Sequence, residues 1–108
     1  MSPQELLRRL LQKCPVVIFS APACGKCVEI ATWLSENCHP ALWVKYDVPS
    51  LADEYEETLV HELVALLKES TERTMYPFCF YQGKYVSDTN ELIHIVSQNH
   101  HDLTFDEL

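Results

Sequence analysis

The run Val16-Val17-Ile18-Phe19, followed after Ser20-Ala21-Pro22-Ala23 by Cys24-Gly25-Lys26-Cys27, constrains this chain more than any other stretch. A continuous apolar run of that length is what a strand covered on both faces requires. The pattern then becomes helical, with Val28, Ala31, Trp33 and Leu34 available for a buried stripe until Asn37-Cys38-His39-Pro40 interrupts it. Two cysteines three residues apart therefore stand at a strand-to-helix junction, the second of them one turn inside the helix.

The rest of the chain supplies what such a strand needs around it. Ser2-Pro3-Gln4-Glu5 offers an N-cap, a proline at the first helical position and a glutamate at the capping-box position, with Leu6, Leu7, Leu10 and Leu11 on one face. Cys14-Pro15 closes that helix. Leu42-Trp43-Val44-Lys45-Tyr46 reads as a second strand ended by Asp47-Val48-Pro49-Ser50, and its short crossover from the first implies a parallel, right-handed unit. Tyr55, Leu59, Leu63, Leu66 and Leu67 recur at helical spacing to about Ser70. Pro77 leads into Phe78-Cys79-Phe80-Tyr81, and Gln82-Gly83 turns that strand onto Lys84-Tyr85-Val86. A last helix is expected from Thr89 to Ser97. The order αβαβαββα fits a four-stranded mixed sheet flanked by helices, the thioredoxin-fold architecture, as one domain over 1–108 with 99–108 as a terminal appendage.

With 108 residues, 47% of them apolar, the chain has enough hydrophobic side chains for one core. A formal charge of −8 argues against nucleic acid or an anionic membrane as partner, because both attract clustered Lys and Arg. No apolar run approaches the roughly 18 residues of a membrane span, and Met1-Ser2-Pro3-Gln4-Glu5 does not open a secretory signal. A soluble, cytoplasmic protein is expected, and the ending Phe105-Asp106-Glu107-Leu108 is then an acidic tail rather than a retention signal.

A lone C-x-x-C is also half of a zinc site. Structural zinc needs four ligands, and no second closely spaced Cys or His pair is present; Cys38-His39 would have to fold back. The redox reading is favoured and no metal site is assigned. At a helix start Cys24 meets unpaired N–H groups and the positive end of the helix dipole, and Lys26 adds a charge, so its thiolate is stabilised. Cys27, further inside, stays protonated. Cys24 is then the nucleophile that attacks a disulfide, and Cys27 the resolving thiol that releases the product. Cys14, Cys38 and Cys79 are small apolar fillers, with Cys79 the most buried.

Taken together, Val17-Ile18-Phe19 through Cys27, the segment Tyr76-Pro77-Phe78-Cys79-Phe80-Tyr81-Gln82-Gly83-Lys84 and Leu92 in the closing helix resemble the glutaredoxins over nearly the whole chain. The resemblance implies a glutathione-coupled disulfide oxidoreductase with a cis Tyr76-Pro77 peptide beside the dithiol. It implies that Tyr76 presents its backbone to substrate, and that Asp88, Thr89 and Asn90 begin a helix facing a glutathione carboxylate. Disulfide-containing proteins are the implied partners, ribonucleotide reductase among them, and a monomer is expected.

Three departures set this chain apart from the family pattern. Ala21 stands where many members have a lysine for a glutathione carboxylate, and Ser87-Asp88 replaces a Gly-Gly pair. Gly25-Lys26 replaces the common Pro-Tyr interior, with Lys26 able to supply part of the missing charge. A thioredoxin-like reductase independent of glutathione is therefore the second reading, and a [2Fe-2S] module bridging two subunits a third that is not favoured. Phe78, Tyr81 and Tyr85 are expected to contribute to an apolar surface around the dithiol. Trp33 and Trp43 are expected to close the core or its rim. His100-His101-Asp102 is expected to be solvated rather than metal-binding.

Overall fold

The computed structural model describes residues 1–99. The expectations placed on the acidic end and on His100-His101-Asp102 lie outside them. Helix α1 (Pro3–Leu11) starts at its capping box: Ser2 Oγ accepts from the Glu5 N–H at 3.1 Å and donates to the Glu5 carboxylate at 3.2 Å. Strand β1 (Val16–Ser20) is buried at all five positions. Helix α2 (Gly25–Asn37), a 3-10 turn (Pro40–Leu42) and strand β2 (Trp43–Asp47) follow. A second 3-10 segment (Val48–Asp53) precedes helix α3 (Glu57–Thr71), and strands β3 (Phe78–Tyr81) and β4 (Lys84–Val86) lead to helix α4 (Thr89–Asn99).

The sheet order is β2-β1-β3-β4, with β1 parallel to β2 and antiparallel to β3, which is in turn antiparallel to β4. Its centre is the apolar run, as a strand covered on both faces must be. Side-chain alternation sends Val17, Phe19, Phe78 and Phe80 against Leu6, Leu10, Val60, Leu63 and Leu67 of α1 and α3. Val16, Ile18, Cys79 and Val86 face the opposite way, against Ile30, Leu34, Leu92 and Val96 of α2 and α4. The β3-β4 loop is Gln82-Gly83 with φ of 49° and 80°, the positive pair that a two-residue turn matched to strand twist requires.

Several boundaries and faces differ from expectation. Strand β2 runs one residue later than the sequence pattern placed it, because Asp47 still pairs with Ser20 while Leu42 closes the preceding turn. Helix α3 begins after Tyr55, which the 3-10 segment holds at its end through a Tyr55 N–H bond to Leu51 O. The buried stripe of α2 is Cys27, Ile30 and Leu34; of the expected Val28, Ala31, Trp33 and Leu34, Leu34 is fully buried and Trp33 packs partly buried at the core edge. Turning Cys27 inward rotates Val28 by about 100° out of the core, and Val28 is 63% exposed. Phe78 is wholly buried in the core rather than exposed beside the dithiol. Tyr81 and Tyr85 also lie away from it: Tyr81 pairs with Val16 at the opposite end of β1, and Tyr85 packs edge-on to Phe80.

Candidate active site

All four strands contribute to one end of the sheet, and β1 delivers the dithiol there. The Ser20–Asp47 pair ends the β1-β2 ladder. Carried one step past Phe19–Phe78, the β1-β3 register brings Pro77 opposite Ser20, and the β3-β4 register brings Ser87 and Asp88 to the same end. Ala23, with φ of 57°, makes the sharp turn from β1 into α2. A non-glycine residue in that region costs about 1 kcal/mol or more and is held only where its surroundings enforce it.

Cys24 is the N-cap of α2, and its Sγ accepts from the Cys27 N–H at 3.2 Å. The two sulfurs are joined as a disulfide, with Cα atoms 5.2 Å apart. Cys24 is half-exposed whereas Cys27 is 3% exposed. Both line a depression of about 480 Å³ together with Ser20, Ala21, Pro22, Ala23, Gly25, Val28, Lys45 and Asp47. Lys26 is exposed and not part of that lining. Gly25 has open space where a Cβ would stand, so no crowding demands a glycine there.

The Tyr76-Pro77 peptide is cis. Tyr76 packs edge-on against Phe78, and its hydroxyl is pushed above the usual phenol range first by burial and then by the Asp47 carboxylate. Met75, immediately before it, is 70% exposed. Arg73 ties this segment to the β4-α4 loop, donating from Nε to Met75 O at 2.7 Å and from Nη1 to Ser87 O at 3.2 Å. Asp88 Oδ1 accepts from the Asn90 N–H at 3.1 Å, and Asp88 O accepts from the Leu92 N–H. The start of α4, with Thr89 and Asn90 in its first turn, is thus capped by the chain's own carboxylate.

The other thiols are held protonated. Burial pushes Cys79 up to about 12, with Arg73 opposing and Asp88 reinforcing the shift. Burial also raises Cys38, and raises Cys14 against the opposing charge of Lys13. Among the described residues no group of three or more His, Cys, Asp or Glu could hold a metal ion, and none of their helices is long and apolar enough to cross a membrane. A [2Fe-2S] cluster finds no such set among the described residues.

No protein-family model and no curated protein matches this chain in sequence. Solved structures do match it in shape. The holo form of glutaredoxin C1 from Populus tremula x tremuloides superposes with a TM-score of 0.65 at 21% identity, over 97% of this chain and 96% of that one. Wheat glutaredoxin gives 0.66 at 19%, over 95% and 89%. A buckwheat glutaredoxin-glutathione complex gives 0.65 at 17%, over 97% and 87%. This is the glutaredoxin fold.

Within that glutaredoxin fold, the residue pattern put Cys24 and Cys27 at the strand-to-helix junction, the family resemblance added the cis Tyr76-Pro77 peptide, and both missed three polar groups near the cysteines. Ser20, 2% exposed, donates from Oγ to Tyr46 O at 3.4 Å, and Lys45 and Asp47 share the lining with both cysteines. Their signal was present: along β2, alternation assigns Trp43, Lys45 and Asp47 to one face and Val44 and Tyr46 to the other. Using it required the parallel register, which sequence does not print. Arg73 carried no signal, because its role depends on a loop-to-loop approach fourteen residues apart.

Proposed function

We propose that this protein is a thiol-disulfide oxidoreductase in which Cys24 is the nucleophile and Cys27 the resolving thiol. The observation that carries the reading is the Cys24 sulfur at the N-cap of α2, accepting the Cys27 N–H, on the glutaredoxin fold. In the reduced protein those N–H groups and the helix dipole favour a Cys24 thiolate. It attacks one sulfur of a substrate disulfide, forming a mixed disulfide and expelling one thiolate. Cys27 then attacks the Cys24 sulfur, closing the intramolecular bond and releasing the second thiol.

Glutathione is the reductant this reading favours, since a buckwheat glutaredoxin of the same fold is described in complex with it. Tyr76 and the cis Pro77 would border the incoming thiol, Lys26 would add positive charge, and Asp88, Thr89 and Asn90 would border its far end. One observation favours a second reading, independent of glutathione: the Asp88 carboxylate already occupies an N–H at the start of α4. Partners are disulfide-containing proteins in either case.

The test compares reduction of the oxidised protein by glutathione with reduction by a thioredoxin reductase system. The first reading expects glutathione to be the faster route, with Cys24→Ser inactive and Cys27→Ser trapping mixed disulfides. Equal loss of all exchange in Cys27→Ser, with no trapped species, would refute the assigned roles. Faster reduction by the reductase system selects the second reading.

A further inference from the structure

The resolving step needs a proton acceptor that the two sulfurs do not supply. Cys27 is 3% exposed, and its thiol must lose a proton as it attacks Cys24. Hydroxide from solvent reaches so buried a group poorly at neutral pH, and a positioned base adds typically 10²–10⁴ to such a step. Of the residues lining the depression that holds both sulfurs, Asp47 is the one acidic residue and Lys45 the one basic one.

Three independent features bring Asp47 to this place. Its pairing with Ser20 sets it at the strand end from which the dithiol loop departs. Alternation along β2 assigns it to the face of Trp43, which packs with Ile30 and Leu34 of α2. Its charge is felt by the Tyr76 hydroxyl, in the segment leading to Pro77. The groups around it are Lys45 on its own strand, Ser50, whose Oγ donates to Asp47 Oδ2 at 3.1 Å, Tyr76, and the two cysteines of α2.

We infer that Asp47 accepts the Cys27 proton during resolution, directly or through one water, and passes it to the departing thiolate. This rests on the proposed exchange through Cys24 and Cys27. The balance is closed: the Cys24–substrate S–S bond breaks as the Cys24–Cys27 bond forms, and the substrate sulfur leaves with the electron pair. The proton moves from Cys27 to the Asp47 carboxylate and then to the released thiolate, so no further oxidant or reductant is consumed.

The experiment isolates that single step. Reduced protein is reacted with Ellman's reagent to load Cys24 as a chromogenic mixed disulfide, and release of the coloured thiolate reports closure by Cys27. Wild type should close at a rate nearly independent of pH from neutrality down to where the carboxylate takes up a proton. Asp47→Asn should close about 10²-fold slower at neutral pH, and regain rate tenfold per pH unit as hydroxide takes over. Asp47→Glu should restore most of the rate.

A wild-type closure rate already proportional to hydroxide between pH 5 and 8 would overturn the inference without any variant. So would an Asp47→Asn profile parallel to wild type, whether equal to it or lowered uniformly. Failure of Cys24 to load at all in the wild type would instead refute the proposed exchange.

Discussion

At the scale of single residues, the contrast between Cys24 and Cys79 shows how one side chain acquires two chemistries. Cys24 caps a helix and is half-exposed; Cys79 lies in β3 between Phe78 and Phe80, 2% exposed, with its proton held by desolvation. The sign of the consequence follows from linkage. In the unfolded chain Cys79 ionises near 9.0, the ordinary value for a thiol, whereas in the native state it does so only at about 12. Between those values the unfolded state has lost a proton that the folded state keeps, so stability is full below pH 9 and falls as pH rises toward 12. Denaturant titrations should show a decline of about 1.4 kcal/mol per pH unit from this group. Cys79→Ala, which fits the site and removes the proton, should flatten that decline, and equal slopes in both proteins would contradict the assignment. The same difference predicts that alkylation at pH 7 labels reduced Cys24 and spares Cys79.

Elements were readable to the extent that one residue's local chemistry defined them. The Ser2–Glu5 box, the apolar β1 run and the Gln82-Gly83 turn each carry their own signal, and each stands where that signal put it. The facing of α2 did not, because Val28 and Cys27 are both apolar enough for a core and only the packing of Ile30 and Leu34 against the sheet decides between them. The same limit hid Lys45 and Asp47, whose partners come from β1. Two helix and turn ends show the residual conflict between local preference and fold. Glu72 ends α3 in a left-handed conformation at φ 59°, and Gly83 holds φ 80° in the hairpin. An L side chain in that region costs roughly 1–2 kcal/mol, of which glycine's extra chain entropy returns roughly half. Glu72→Gly should therefore raise stability by about 0.5–1 kcal/mol, and Gly83→Ala should lower it by about 1 kcal/mol or more. Thermal melts of the two variants, expected to move in opposite directions by a few degrees, check both.

At the scale of the whole molecule, the field and the sheet end act on the same substrates. The chain carries a formal charge of −8, while the dithiol depression itself contains one cation and one carboxylate, Lys45 and Asp47. Long-range approach is then governed by the net negative field and close approach by local groups, because exposed charges beyond about 10 Å are screened at 0.1 M salt. Glutathione carries a net negative charge at neutral pH, cysteamine a positive one and 2-mercaptoethanol none. Raising ionic strength from about 20 mM to about 500 mM shortens the screening length to a few ångström and should speed reduction of the oxidised protein by glutathione several-fold. The same change should slow reduction by cysteamine and leave 2-mercaptoethanol nearly unaffected. Asp88 contributes to this penalty at short range, since its carboxylate stands at the start of α4 beside the same sheet end. In Asp88→Asn the gap between glutathione and the neutral thiol should narrow at both salt concentrations, a local effect that screening cannot imitate. Identical salt responses for all three thiols would mean that Lys26, Lys45 and Arg73 cancel the field where the sulfurs react, and the long-range argument would fail.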